Sequence, residues 1–460
     1  MRTGRWLVSI VFLIVAGVAG CSSSDKDEPR SLTGDWHGAI EVPGAPLAVG
    51  VSFADNGGAT IDIPVQGMNG AELKDVSAEP DRVAFAIPNI PGDPVFQGKF
   101  DKNANRIIGE FRQAGQSLPL TLQPGKIEAP ARPQEPKPPY PYRSEDVSYR
   151  NGDITIAGTL TRPEGNGPFP AILLISGSGA QDRNEDLMGH KPFLLLADTF
   201  TRAGYAVLRT DDRGVGGTSG KLDDASYTDL AGDAAAGVSF LRARQEIDPA
   251  RVGLFGHSEG GYLAPLVAAR PDSGVAFAIL MAGPSVPGWA VLIEQNRALL
   301  TAAGAPQSRV DDQVAFITDW TNLMRSGDLA VARDLNQRHN ESLPPGQRAS
   351  AETLDAYNTA YMAAFITYDP APALSALRIP VLAFFGTKDM QVLATQNEQP
   401  MRDRLAADPD ATVHVFPDLN HLMQPANSGL PSEYTGIETT ISPDVLTYVT
   451  GWLTQHAPTR

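Results

Sequence analysis

Residues 252–270 read VGLFGHSEGGYLAPLVAAR. The apolar run VGLF leads straight into Gly256-His257-Ser258-Glu259-Gly260, which fits G-x-S-x-G, and a helical stretch follows without a gap. Strand, sharp turn and helix in that order are what a nucleophile elbow requires. The turn forces Ser258 into strained backbone geometry, and side chains at the flanking glycines would collide with their neighbours. Ser258 is therefore the candidate nucleophile, with Oγ raised above a sheet edge.

The flanking sequence supplies such a sheet. AILLIS, YAVLRT, VGLFGH, FAILMAG, VLAFFG and TVHVFP are short continuous apolar runs, the pattern of strands buried on both faces. DVSYR and DITIAGTL precede them as an opening antiparallel pair. FLLLADTFTRAG, YTDLAGDAAAGVSFLRARQ and LAPLVAARP alternate with the strands as helices, and the chain closes on SPDVLTYVTGWLTQH, a capping Ser before an apolar face. Alternation of this kind predicts an α/β fold with a mostly parallel sheet flanked by helices over residues 144–460. Residues from about 285 to 375 interrupt it with helical stretches, too long for an ordinary connection, and are expected to form a helical cap over the carboxyl edge of the sheet.

A serine hydroxyl needs a base, and the base an orienting acid, in the chain order Ser, acid, His. His421 directly follows a strand in FPDLNHLM and is the candidate base. His339 lies in the cap, His414 within the strand TVHVF and His456 past the last helix. Asp389, just beyond VLAFFG, is the candidate acid; Asp418 is its rival, three residues before His421. The oxyanion hole takes one backbone amide from Glu259 and a second from Gly177-Ser178-Gly179 after AILLIS, with Ser178 preferred and Gly179 the alternative. Gln181, Arg183, His190 and His257 are candidates for lining the pocket or supporting its loops, with ion pairing the simpler reading of the clusters at 181–183 and 211–213.

The stretches SGSGAQDRNED, HKPFLLLADTFTRAGYAVLRTDDRGVGGTSG, GLFGHSEGG, ITYDPAPAL, PVLAFFGTKDMQV and LNHLMQ run in order over residues 145–460. Together they resemble bacterial serine esterases of the α/β-hydrolase superfamily, many exported and lipid-anchored. The resemblance implies hydrolysis of small to medium carboxylic esters, with Ser258, Asp389 and His421 as triad. Ser176-Gly177 stands where most of that superfamily carries His-Gly, which leaves the second oxyanion donor open. A peptidase or acyltransferase with the same triad, or a non-catalytic envelope lipoprotein, are the alternatives.

A chain of 460 residues exceeds the usual size of one hydrophobic core, so two or three domains are expected. From 34 to 124, GAIEV, LAVGVSF, TIDIPV, RVAFAI and RIIGEF alternate apolar and polar residues between turn signals, which predicts a small all-β accessory domain. Residues 125–143, which hold six of the seven prolines of 124–141, read as a semi-rigid linker. Residues 1–20 join a basic start to an apolar run ending in small residues before Cys21, the single cysteine. This is the pattern of a lipoprotein signal peptide, with lipid carried by Cys21 and 21–33 as a polar tether. A protein anchored to the outer membrane and facing the periplasm is expected. A net charge of −16 argues against nucleic acid as a partner. The sequence has no dinucleotide fingerprint and no metal-ligand spacing, and so implies no cofactor.

Overall fold

The computed structural model describes residues 32–459, apart from 42–46, 65–67, 89, 91, 114–115, 128–129 and 345–347. The signal segment 1–20, Cys21 and most of the 21–33 tether lie outside the described residues.

The first sheet is antiparallel throughout. Its strands are β1 (Gly34–Ile40), β2 (Leu47–Phe53), β3 (Ala59–Ile63), β4 (Met68–Glu72), β5 (Lys74–Glu79), β6 (Arg82–Ala86), β7 (Val95–Asp101), β8 (Arg106–Gln113) and β9 (Gln116–Pro124). They are ordered β4-β3-β2-β1-β9-β8-β7-β6-β5. Only Leu73 separates β4 from β5, yet these are the two edges of the sheet. Consecutive Cα atoms are about 3.8 Å apart, so the sheet must curl until its edges nearly meet, giving a nearly closed barrel. Inward positions fill it with Trp36, Val51, Phe53, Phe85, Phe96, Ile107 and Leu122, all buried. Phe85 stacks on Phe96 at 4.9 Å between ring centres.

The second sheet has eight strands: β10 (Arg143–Asn151), β11 (Ile154–Arg162), β12 (Phe169–Ile175), β13 (Ala206–Thr210), β14 (Ile247–His257), β15 (Ala278–Met281), β16 (Val381–Gly386) and β17 (Ala411–Phe416). Their order is β10-β11-β13-β12-β14-β15-β16-β17. β10 pairs antiparallel with β11, β11 antiparallel with β13, and every later pair is parallel. β15 and β16 are buried at every position, as their unbroken apolar runs demand. Two separate apolar layers cover the faces. Leu173, Leu254, Ala264, Leu280 and Phe385 belong to one, and Phe193, Phe200, Phe255, Phe384 and Trp452 to the other.

Helices follow the strands. α1 (Pro192–Arg202) buries Phe193, Leu196, Ala197 and Phe200. α2 (Tyr227–Arg242) opens with a reciprocal capping box between Ser226 and Asp229. α3 (Gly260–Ala268) follows Ser258 directly. Between β15 and β16 the chain leaves the sheet for α4 (Gly288–Ala302), α5 (Gln307–Ser326), α6 (Leu329–Ser342), α7 (Ala351–Ala356), α8 (Ala360–Thr367) and α9 (Ala371–Ala376). α4, α5, α6 and α8 share a small core of their own around Ile317, Trp320, Met324 and Ile366. α10 (Ala394–Arg404) and α11 (Pro431–Tyr434) come before the closing helix α12 (Pro443–His456). Ser442 sits at the N-cap of α12, but its side chain makes no capping bond, contrary to the sequence expectation.

The proline-rich stretch expected to act as a spacer is instead fastened to the α/β unit. Arg132 donates to the carbonyls of Gly189 (2.9 Å), Thr435 (2.7 Å) and Ile437 (3.1 Å). Gln134 Nε2 donates to Ile441 O at 2.8 Å, and Lys191 pairs with Glu135 at 2.8 Å. Prolines extend the strap, and the polar side chains between them anchor it to loops 188–191 and 435–441.

Candidate active site

β12 lies between β13 and β14, so successive connections leave it in opposite directions. At such a switch point the loops beyond the carboxyl ends of two neighbouring strands part and leave a crevice. Here those loops are 176–180, after β12, and the turn at Ser258, after β14.

Ser258 has φ +52°, the left-handed conformation the elbow requires. Two glycines permit it. A Cβ on Gly256 would lie 2.1 Å from Gly260 O, and one on Gly260 would lie 2.2 Å from Ile175 O. The Ser258 amide is tied to Met281 O at 2.9 Å, which fixes the elbow to β15. The oxyanion-loop candidate runs beside it: a Cβ on Gly177 would be 3.3 Å from Ser258 Cβ.

The candidate acid and base are brought together. His421 Nδ1 donates to Asp389 Oδ2 at 2.8 Å, and both side chains are buried. Asp389 Oδ1 accepts the amides of Gln391 (2.8 Å) and Val392 (2.9 Å), so the carboxylate is held on both oxygens and aimed at the ring. The two loops can approach because residue 386 is glycine; a Cβ there would meet Leu419 O at 2.1 Å. Asn420 braces the His421 turn by accepting from Leu422 N and Gln424 N, each at 3.0 Å. Asp418, the rival acid, is exposed, and its amide bonds Thr387 Oγ1. His414 stacks on Tyr448, and His339 on Phe316 in the cap.

The amides of 177–179 have separate fates. Gly177 N donates to Glu185 Oε1 at 2.7 Å, and Gly179 N to the Tyr361 hydroxyl at 2.9 Å. Neither the Ser178 amide between them nor the Glu259 amide has a hydrogen-bond partner among the described residues. A cavity of about 60 Å³ lies behind this loop, bordered by Ser176, Gly177, Gly179, Asp212 and Glu259.

His257 binds the loops to one another. Its Nδ1 faces Glu185 Oε1 at 2.8 Å, and its Nε2 faces the carbonyl of His421 at 3.2 Å. A carbonyl can only accept, so Nε2 carries hydrogen; the carboxylate calls for hydrogen on Nδ1 as well. Burial works against this imidazolium, but the Glu185 charge outweighs it and raises the His257 pKa above its ordinary value. Glu185 thus joins Gly177 to His257, and His257 joins the elbow to the His421 loop.

The other expected residues support loops. Arg183 forms a fork to Asp211 (3.0 and 2.7 Å) and also reaches Asp146 and Thr159. Gln181 donates its amide to Asp212 and its side chain to Ser178 O. His190 is fully buried, donating from Nε2 to Tyr434 O (2.9 Å) and facing the Thr440 hydroxyl with Nδ1 (3.0 Å). Burial, with Arg132 nearby, pushes its pKa down to about 4, so it is a neutral pin below the strap.

Sequence reasoning missed Glu185, Tyr227 and Tyr361, and assigned the Glu259 side chain nothing. Glu259 accepts the hydroxyls of Tyr227 (2.6 Å) and Tyr361 (2.5 Å), all three residues being buried. No local spacing signals these contacts, since Tyr361 is 102 positions from Glu259. The one available cue was a carboxylate placed between the nucleophile candidate and an apolar helix.

Residues 170–427, more than half of the chain, match the model of the alpha/beta hydrolase fold family. Esterase EstD of Thermotoga maritima is 29% identical over 283 residues, which cover 60% of this chain and 60% of that protein. The putative hydrolase YtaP of Bacillus subtilis is 30% identical over 122 residues, 23% of this chain and 41% of that one. The chain thus spans three-fifths or less of the length of these relatives. An esterase of known structure from Pyrococcus furiosus superposes with a TM-score of 0.44 at 14% identity, covering 72% of this chain and all of the other.

Proposed function

The chain belongs to the alpha/beta hydrolase fold family, and on that premise we propose that it is a serine esterase acting on carboxylic esters of small to medium acyl chain through Ser258, His421 and Asp389. The observation that carries the reading is the His421–Asp389 pair, held on the loops after β17 and β16, in a molecule whose Ser258 stands at φ +52° on the turn after β14. The similarity to an esterase supports the choice of ester over other acyl substrates.

The reaction follows in two halves. His421 takes the Ser258 proton as Oγ attacks the ester carbonyl carbon, and the oxyanion is met by the amides of Glu259 and Ser178. The intermediate collapses, the C–O bond to the alcohol breaks, and His421 returns the proton to the departing oxygen. Water then gives its proton to His421 and attacks the acyl-enzyme; the acid leaves and Ser258 regains its proton. Asp389 keeps His421 in the tautomer with hydrogen on Nδ1 and stabilises the imidazolium that forms.

The test is hydrolysis of p-nitrophenyl esters from acetate to palmitate by the chain from residue 22 onward, beside its Ser258→Ala variant. Activity that the variant loses, greatest on the shorter chains, is expected. Equal rates for the two proteins on every ester would remove the esterase reading.

A further inference from the structure

The cap meets the polar groups beside the elbow through Tyr361. Tyr361 lies on α8, buried at 7% exposure. Its hydroxyl donates to Glu259 Oε2 at 2.5 Å and accepts from Gly179 N at 2.9 Å. Glu259 follows the nucleophile candidate, and Gly179 follows the preferred oxyanion donor, so one phenolic oxygen joins the cap, the elbow and the loop. The rest of the seat is apolar: Tyr368 packs against Tyr227 (4.9 Å) and Tyr262 (5.1 Å), and Phe365 against Tyr262 (6.1 Å). The cavity of about 60 Å³ borders the same loop.

We propose that Tyr361 is a positioning residue through which the seated cap sets the oxyanion loop. Anchored on Glu259, its hydroxyl holds the Gly179 amide while Glu185 holds that of Gly177, and the Ser178 amide between them is thereby aimed and left free. Lifting the cap removes Tyr361 and with it the outer support, so the donor geometry exists only with the cap down. The inference rests on the reading of Ser258 as nucleophile and of 176–180 as the oxyanion loop, and it adds a coupling between substrate enclosure and catalytic competence.

Tyr361→Phe keeps the ring and removes only the hydroxyl. Tyr227→Phe removes a bond of the same kind from the same carboxylate without touching the loop. Turnover of p-nitrophenyl acetate and butyrate is measured for both variants, and hydrogen exchange is followed by mass spectrometry on a peptide covering residues 174–184. Tyr361→Phe is expected to lower kcat about 10- to 100-fold on both esters, with KM changed less than about threefold, since a misplaced oxyanion donor acts in the transition state. Exchange in the loop rises about tenfold or more, the loss of one hydrogen bond. Tyr227→Phe changes kcat by less than about threefold and leaves loop exchange as it was, as expected of a bond remote from the oxyanion. Glu259→Met, similar in size and without an acceptor, repeats the faster loop exchange, and it serves if Tyr361→Phe does not fold. The proposal is overturned if Tyr361→Phe alters KM alone, if the two tyrosine variants lose kcat equally, or if loop exchange is unchanged without the hydroxyl or its anchor. Should the unaltered protein hydrolyse no ester, the esterase reading fails by itself, and the exchange measurement still decides whether the cap holds the loop.

Discussion

Glu259 is a carboxyl group with almost no access to water, and replacing it by glutamine should change how stability depends on pH. Burial is the main force on its titration. Although the Tyr227 and Tyr361 hydroxyls favour the charged form, the pKa rises from 4.5 to about 7. The native state therefore holds this proton more tightly than the unfolded chain. The resulting stability is complete below pH 4.5, declines as pH rises between 4.5 and 7, and is lost above 7. A difference of about 2.5 pH units corresponds to roughly 3 kcal/mol over the full range, of which about 2 to 3 kcal/mol falls between pH 5 and pH 8. Asp212, also buried and raised well above the ordinary range, repels Glu259, so removing the Glu259 charge adds to the effect with the same sign. Urea unfolding of the wild type and Glu259→Gln at pH 5 and pH 8 measures the difference, because titrations common to both proteins cancel. The variant should gain about 2 to 3 kcal/mol relative to wild type on going from pH 5 to pH 8. Parallel pH dependences would show that this carboxyl bears no desolvation penalty on ionising, and the reasoning would fall.

Three further outcomes are expected. Asp389→Asn should keep the fold and reduce kcat on the order of 10³- to 10⁴-fold, because an amide facing His421 Nδ1 favours the wrong tautomer; steady-state kinetics check it. Arg132→Ala removes three bonds to the carbonyls of Gly189, Thr435 and Ile437, and should cost about 2 to 3 kcal/mol, seen as a lower calorimetric Tm and as faster proteolysis in 186–191 and 434–441. We propose that Cys21 carries a lipid anchor: in a bacterial host the full chain should partition with membranes and its Cys21→Ala variant should not, and equal partitioning would count against the anchor.

Elements with both faces buried were plain in the sequence, because VLAFFG or AILLIS has no alternative to a sheet interior. The turn at Ser258 was equally plain, since G-x-S-x-G stands between an apolar run and a helical stretch, although one of its glycines, Gly260, is required by a contact with Ile175, far away in the chain. The first sheet was read as a handful of strands although it has nine among the described residues. KDVSAE has no fully buried position, and QSLPLTLQP, although its leucines alternate inward, carries a proline that argues against a strand. α6, LAVARDLNQRHNES, buries only Ala332, Asn336 and Asn340 and leaves Leu329 and Val331 exposed, so its apolar residues do not mark its inner face. At the site, strand ends and chain order pointed to Ser258, Asp389 and His421. The contacts of Glu259, Glu185 and Tyr361 depend on how the cap and loops fold back, and nothing in neighbouring residues encodes them.

The most direct test of the central claim is covalent. The protein from residue 22 onward is incubated with diethyl p-nitrophenyl phosphate, digested, and the adduct located by tandem mass spectrometry, beside His421→Ala. The account predicts one diethyl phosphoryl group, on Ser258, formed far more slowly in the variant. Ester hydrolysis with the adduct on another residue, or with Ser258 unmodified, would contradict it.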